Sequence, residues 1–108
     1  MLPPRAAVSL LPLAGQTRKM LKSSLDALMK TNAVLAKTVC ESDDEADRLD
    51  QQIYKEVQRQ LRAHPESSES LVPILEASHN LERIADHATN IAEDVIDLVE
   101  GEIIRHLA

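Results

Sequence analysis

Phenylalanine and tryptophan are absent from this chain, and Tyr54 is its only aromatic. A core without aromatic rings must be built from Leu, Ile, Val, Ala and Met. That composition favours helices, because strands draw on aromatic and β-branched side chains. Gly15 and Gly101 are the only glycines, too few for the many tight turns of an all-β domain. Cys40 is the single cysteine, so no internal disulfide forms, which fits a reducing, cytoplasmic setting. No apolar run approaches the roughly 20 residues of a membrane span, so no membrane insertion is expected. Residues Ala6 to Ala14 faintly resemble a secretory leader after Arg5, but Pro12 interrupts the run and its apolar spacing continues beyond. Basic residues are also in deficit, with 12 Lys and Arg against 18 Asp and Glu and a net charge of -6. Without a basic face or stacking aromatics, the chain is not built to hold nucleic acid.

What remains is one small, largely aliphatic domain. The 108 residues, 44% of them hydrophobic, support a single core and are too apolar for disorder. Leu10, Ala14, Thr17, Leu21, Ser24 and Leu28 recur at spacings of three and four, widened by Leu13, Leu25 and Met29, and predict a first helix with Pro12 in its first turn. Lys30-Thr31-Asn32 breaks the pattern, and Asn32 is placed to cap a second helix starting at Ala33. Leu35, Val39, Ala46, Leu49, Ile53, Val57 and Leu61 carry that helix to about Arg62, ended by Pro65 and the serines that follow. The third helix shows a heptad-like seam of Ile74, Ala77, Leu81, Ile84, Ala88, Ile91, Val95 and Leu98, with Gly101 as the residue just past its end. A start near Ser70 or Leu71 would accommodate Pro73, whereas a start at Ser67 would kink the helix there. The expectation is an all-α, up-down-up bundle of three long antiparallel helices over residues 10–101, with extensions at 1–9 and 102–108. Leu81, Ala85, Ala88 and Ala92 form a surface where a partner helix could approach closely, which suggests a homodimer.

The acids are unevenly placed. Glu41, Asp43, Asp44, Glu45, Asp47 and Asp50 crowd ten residues against Arg48 alone. Asp43 and Asp47 stack one turn apart, and so do Glu82 and Asp86 on the third helix, followed on the same side by Asn90 and Glu93. Like charges at this spacing each destabilise a helix by a few tenths of a kcal/mol. Two readings compete: a solvated acidic face, or a site where carboxylates from two neighbouring helices hold a hard or borderline cation such as Mg²⁺, Mn²⁺ or iron. His87 beside Asp86 could join such a site or simply be a surface residue. Cys40 could offer a thiolate, though a packed small side chain is the plainer account. The order of His79 and Glu82 is the reverse of the inward-facing Glu-x-x-His motif of di-iron bundles. No nucleophile–base pair and no Gly-rich phosphate loop is present, so the chain is not read as an enzyme; a metal-activated hydrolysis of phosphoesters is the catalytic alternative.

The run Asn80-Leu81-Glu82-Arg83-Ile84-Ala85-Asp86-His87-Ala88-Thr89-Asn90-Ile91-Ala92-Glu93-Asp94-Val95 resembles the last helix of the PhoU family, and Asp43-Asp44-Glu45-Ala46-Asp47 resembles that family's other acidic motif. The resemblance implies an all-α protein of three-helix repeats, usually two in tandem. It implies metal bound at Asp43, Asp47, Glu82 and Asp86, with Asp50, Asn90, Glu93 and His87 as further candidates; Mg, Mn, Fe and Zn are the candidate ions. It further implies a negative regulator of phosphate uptake and of the phosphate-starvation response, acting through a phosphate transporter's ATPase and a sensor histidine kinase. The alternative is a helical dimerisation module, or the cytosolic domain of a phosphate transporter, with no role for metal. Two departures stand out: only one repeat is present, closest to the second half of a typical member, and Ala85 occupies a position where the family usually has glycine.

Overall fold

The computed structural model describes residues 8–107. Most of the 1–9 extension expected from the sequence therefore lies outside the described residues. The architecture is the expected all-α bundle: three antiparallel rods, with no strand among the described residues. The molecule measures 65 × 18 × 16 Å.

The first rod is α1, Leu11–Lys30. Pro12 sits in its first turn, where a missing N–H costs nothing. It ends at Thr31, a left-handed residue with φ 50°, and the chain reverses at once. Asn32 then caps the next helix as expected, its side-chain oxygen accepting from the Leu35 N–H at 3.1 Å.

The second rod differs from the single helix expected over Ala33 to Arg62. It is two helices, α2 (Ala33–Glu41) and α3 (Asp43–Ala63), meeting at Ser42. The Ser42 hydroxyl donates back to the Thr38 carbonyl at 2.9 Å, a bond that bends helices. The Ser42 carbonyl accepts from Gln16 Nε2 on α1 at 3.1 Å, while the Ala46 N–H reaches it only at 3.4 Å. The break alters the electrostatics of the acidic run: Asp43, Asp44 and Glu45 become the first turn of a new helix, where the helix dipole favours negative charge.

After a 3₁₀ turn at Pro65–Ser67, the third rod is α4, Ser68–Leu107, 40 residues long. It begins earlier than Ser70, and Pro73 lies inside it. The N–H that Pro73 lacks would have bonded the carbonyl of Glu69; both residues are exposed, so water can serve that carbonyl. The expected stop at Gly101 does not occur. Gly101 keeps a negative φ, so it forms no left-handed cap, and the helix continues through an Arg105–Glu102 ion pair at 2.8 Å.

The seam on α4 is rotated from the one read in sequence. Ala88 and Val95 are buried and Ile74 and Leu81 pack against them, as expected. The second row, however, is Leu71, Ser78, Ala85 and Ala92, not Ala77, Ile84, Ile91 and Leu98. Ile84 and Leu98 are exposed. Small side chains at 78, 85, 88 and 92 let α1 and the second rod both close onto α4, and that closeness decides which side is buried. Consequently Ala85, Ala88 and Ala92 are fully buried in the chain's own core and cannot receive a partner from outside. On α1 a similar shift buries Met20 and Ala27 with Leu13, Thr17 and Ser24, and leaves Leu25, Leu28 and Met29 exposed.

Candidate functional site

The groove between the second rod and α4 gathers the acidic motifs. Antiparallel packing sets its register. At one point the Thr89 hydroxyl on α4 donates to Asp43 Oδ1 at 3.3 Å, and further along the Ser78 hydroxyl donates to Asp50. Between these two ties, Asp43 and Asp47 from α3 and Asp86 from α4 each place a carboxylate oxygen within 4.8 Å of the others. Glu82 lies beside them, close enough for the carboxylates of Asp86 and Asp47 to act on its own. The four residues singled out by spacing therefore converge on one site, supplied by two helices.

The remaining candidates divide. Asp50 is held one turn away by Ser78, with His79 Nδ1 3.7 Å from its Oδ1. It stands outside the close-set carboxylates. Glu93 is exposed, yet close enough for its charge to act on Cys40. His87 and Asn90 are exposed and outside the group. Cys40 is half-buried against the core. Burial first, and then the negative charges of Glu93 and Asp43, push its thiol up, which favours the packed thiol over the thiolate ligand.

The electrostatic state of the site follows from this crowding. Burial, and then the carboxylates of Asp86 and Asp47 beside it, push the Glu82 carboxyl up to about 7. Asp43 is also raised, by burial and then by Asp47 and Asp86, with the Thr89 hydroxyl opposing the rise. Near neutral pH the site thus retains a proton because too many negative charges share too little water. Thr89 is the residue that spacing arguments missed. It lies one turn past Asp86 on the same edge of α4, and that adjacency is the signal that could have found it. Its hydroxyl also lies 3.1 Å from the Ala85 carbonyl, which fixes its rotamer toward α3.

The donor set suits a hard or borderline cation. Carboxylate oxygens within reach of one another, drawn from two helices and partly open to solvent, are ligands for Mg²⁺, Mn²⁺, iron or Zn²⁺. The retained proton marks a place where a positive charge would be welcome.

Comparison with known proteins gives an independent view. A family described as the PhoU domain matches residues 10–95. A Pseudomonas aeruginosa protein named phosphate-specific transport system accessory protein PhoU homolog is 36% identical over 104 residues, which is 96% of this chain and 43% of that protein. A Clostridium acetobutylicum protein of the same name is 32% identical over 90 residues, 83% of this chain and 41% of its own length. A Thermotoga maritima protein, PhoU homolog 2, is 33% identical over 90 residues, 83% of this chain and 38% of its own length. The chain thus spans about two-fifths of the length of these curated relatives. No solved structure matches it.

Proposed function

Since this chain belongs to the PhoU family, we propose that it is a non-catalytic accessory protein of phosphate-specific transport. In this reading it restrains phosphate uptake and the phosphate-starvation response by contact with the transporter's ATPase and a sensor histidine kinase. It works in the cytoplasm and as a pair of copies. No helix among the described residues is long and apolar enough to cross a membrane, so contact with a membrane transporter falls to its surfaces.

The observation that carries the site's role is the convergence of Asp43, Asp47 and Asp86 within 4.8 Å. Asp43, Asp47, Asp86 and Glu82 would hold a divalent or iron-type cation. Such an ion would supply positive charge on a face that otherwise repels anions. Thr89 orients Asp43 toward the site, and Glu82, whose carboxyl is raised to about 7, would give up its proton to a bound cation. The break at Ser42 brings Asp43 to the start of α3, so the ligand pair Asp43 and Asp47 rides on a single helix against α4.

The test compares the native protein with a variant carrying Asp43→Asn, Asp47→Asn, Glu82→Gln and Asp86→Asn. Isothermal titration with Mn²⁺, Mg²⁺, Zn²⁺ and, under anaerobic conditions, Fe²⁺ reads binding. A phosphate-starvation reporter in cells lacking the native gene reads regulation. The proposal expects metal binding and repression by the native chain, and loss of both in the variant. Equal binding by the two proteins would remove these residues from a metal site.

A further inference from the structure

Past the end of the bundle, α4 keeps an apolar side that no described residue covers. α1 and α4 run in the same direction, and the Thr17 hydroxyl on α1 donates to the Leu81 carbonyl on α4 at 3.3 Å. The same number of residues further along both helices brings the Thr31 turn, where α1 ends, level with Val95. From Ile96 to Leu107, α4 therefore projects beyond its neighbours by roughly 18 Å at 1.5 Å per residue. One row of side chains crosses this boundary at helical spacing: Ala92, Ile96, Val99, Ile103 and Leu107. Its burial fades along the way. Ala92 is fully buried, Ile96 and Val99 are half-buried, Ile103 is 54% exposed and Leu107 82%, with Ile104 beside them at 66%. The side of α4 that forms the core inside the bundle thus stays apolar for about three turns outside it. Single apolar residues are ordinary on a surface, but a row in register with the core is a face suited to being covered.

Charge indicates the occupant. Asp97 and Glu100 border the row on one side and Glu102 on the other. Arg105, the only Lys or Arg of this projecting part, lies across the helix from the row and is tied to Glu102 at 2.8 Å. We propose that the projecting part of α4 is the seat for a cationic amphipathic helix of a partner protein. The partner's apolar residues lie on Ile96, Val99, Ile103 and Leu107, and its Lys and Arg side chains reach Glu100 and Glu102. A second copy of the same row would bring acid against acid, and an anionic lipid surface would be repelled for the same reason. The seat is short, so the contact is weak and reversible, as suits a regulatory encounter. It lies beyond the acidic groove, so cation and partner can be held together. The proposal rests on the reading above that the protein acts by contact with other proteins, and it names the surface and the chemistry of that contact.

Fluorescence anisotropy of labelled synthetic peptides against the whole chain tests it. The first probe is a Leu/Lys peptide of about 14 residues with its leucines at helical spacing. The second carries Glu in place of every Lys, and the third is the first scrambled so that no apolar face forms. The native protein binds the first probe saturably and the other two about tenfold more weakly or not at all. The double variant Ile103→Gln, Leu107→Gln weakens the first probe by about tenfold, with an unchanged far-UV spectrum because both positions are exposed and glutamine is a good helix former. Glu100→Lys weakens the first probe and strengthens the second. The quadruple variant of the acidic groove binds the first probe as the native protein does. A scrambled peptide that binds as well as the first overturns the seat, the attraction then being net charge alone. A quadruple variant that loses the first probe overturns it by moving the contact to the acidic groove, and a glutamine variant that keeps the probe overturns it outright. Self-association lost in the glutamine variant would give the seat to a second copy instead. The phosphate-starvation reporter separates the seat from the function it serves. Repression kept by the glutamine variant overturns the seat as the regulatory contact and leaves the accessory reading standing. A reporter that ignores the native chain overturns the accessory reading, while the peptides still decide the seat.

Discussion

Helix α4 has two edges with different chemistry. Along the second rod it presents Glu82, Asp86 and Thr89 to Asp43 and Asp47. On its other side Ile84 and Leu98 are exposed, as are Leu25 and Leu28 on α1. Between the edges runs a floor of Ser78, Ala85, Ala88 and Ala92, all fully buried. Side chains of alanine size bring the rods close, and residues one step to either side are left half in water. On one edge that half-exposed position raises the proton affinity of carboxylates; on the other it leaves aliphatic surface uncovered.

Removing the support common to both edges gives the largest effect. Leu13 is fully buried in the core of α1. Leu13→Ala should destabilise the fold by about 2–5 kcal/mol, measured by urea denaturation, because the cavity closes only in part. The exposed Leu25→Ala, with less area to lose, should cost the isolated chain far less. Equal losses from the two would mean that this aliphatic edge is already buried within one chain, and the contrast between the edges would fail.

The acidic edge is broken next, through its proton. Glu82 holds its proton up to about 7 in the folded chain against an ordinary value of 4.5. Between those values the folded state binds a proton that the unfolded chain has released. The metal-free protein therefore loses stability as pH rises from about 4.5 to about 7, and the loss is complete above that. Glu82→Gln should raise stability at about pH 8 by about 1 kcal/mol, the full shift being discounted because the group is partly open to solvent. Near pH 4 the variant and the native chain should match. A saturating divalent cation should reverse the trend for the native protein, adding roughly 2.7 kcal/mol at a hundred times its dissociation constant. Thermal melts across pH, with and without Mn²⁺, separate these outcomes; a native melting curve insensitive to pH between 4.5 and 7 would remove the shared proton.

Thr89 sharpens the same edge on a smaller scale. Thr89→Val keeps the shape and removes the hydroxyl that donates to Asp43. The loss should be about 1 kcal/mol at neutral pH, where Asp43 depends on that donor, and smaller in acid, where Asp43 is protonated. A loss of equal size at both extremes would assign the hydroxyl to the Ala85 carbonyl instead.

These positions also show what the sequence disclosed and what it withheld. The three rods, the Asn32 cap and the placing of Pro12 follow from local rules, so they were readable. The convergence of Asp43, Asp47, Glu82 and Asp86 was readable too, since each pair shares a helix face and antiparallel neighbours bring such faces together. The turn of α4 about its own axis was not. Ile84 and Ala85 differ by one position, and a hydrophobicity pattern prefers isoleucine in the core, whereas close packing of three rods prefers alanine at the point of contact. The break at Ser42 was hidden for a related reason. The Ser42 hydroxyl's bond to Thr38 is local, but its partner in the break is Gln16, far away in sequence, reaching the Ser42 carbonyl. Thr89 was overlooked because its contribution is one hydrogen bond to a carboxylate on another helix. Each of these depends on distances between rods, which spacing within a rod does not encode.

Beyond both grooves α4 continues alone, and there the smallest effect is expected. Residues 100–107 are all exposed, and a helix end without packing is held chiefly by its own hydrogen bonds and by pairs such as Arg105 with Glu102. Gly101 sits inside this stretch with a helical backbone, and a methyl group added there would meet nothing within 4 Å. Gly101→Ala should therefore strengthen the end of α4 by about 0.5–1 kcal/mol, because alanine surrenders less backbone freedom than glycine on becoming helical. The gain should appear as slower amide hydrogen exchange at residues 102–107. Global denaturation should barely move, since this end opens without unfolding the core. Metal affinity should not change, because no carboxylate of the acidic groove lies beyond Gly101. If the substitution instead raised global stability by its full local amount, the end of α4 would belong to the cooperative core, and the two grooves would share a longer floor than Ala92 and Val95 now give them.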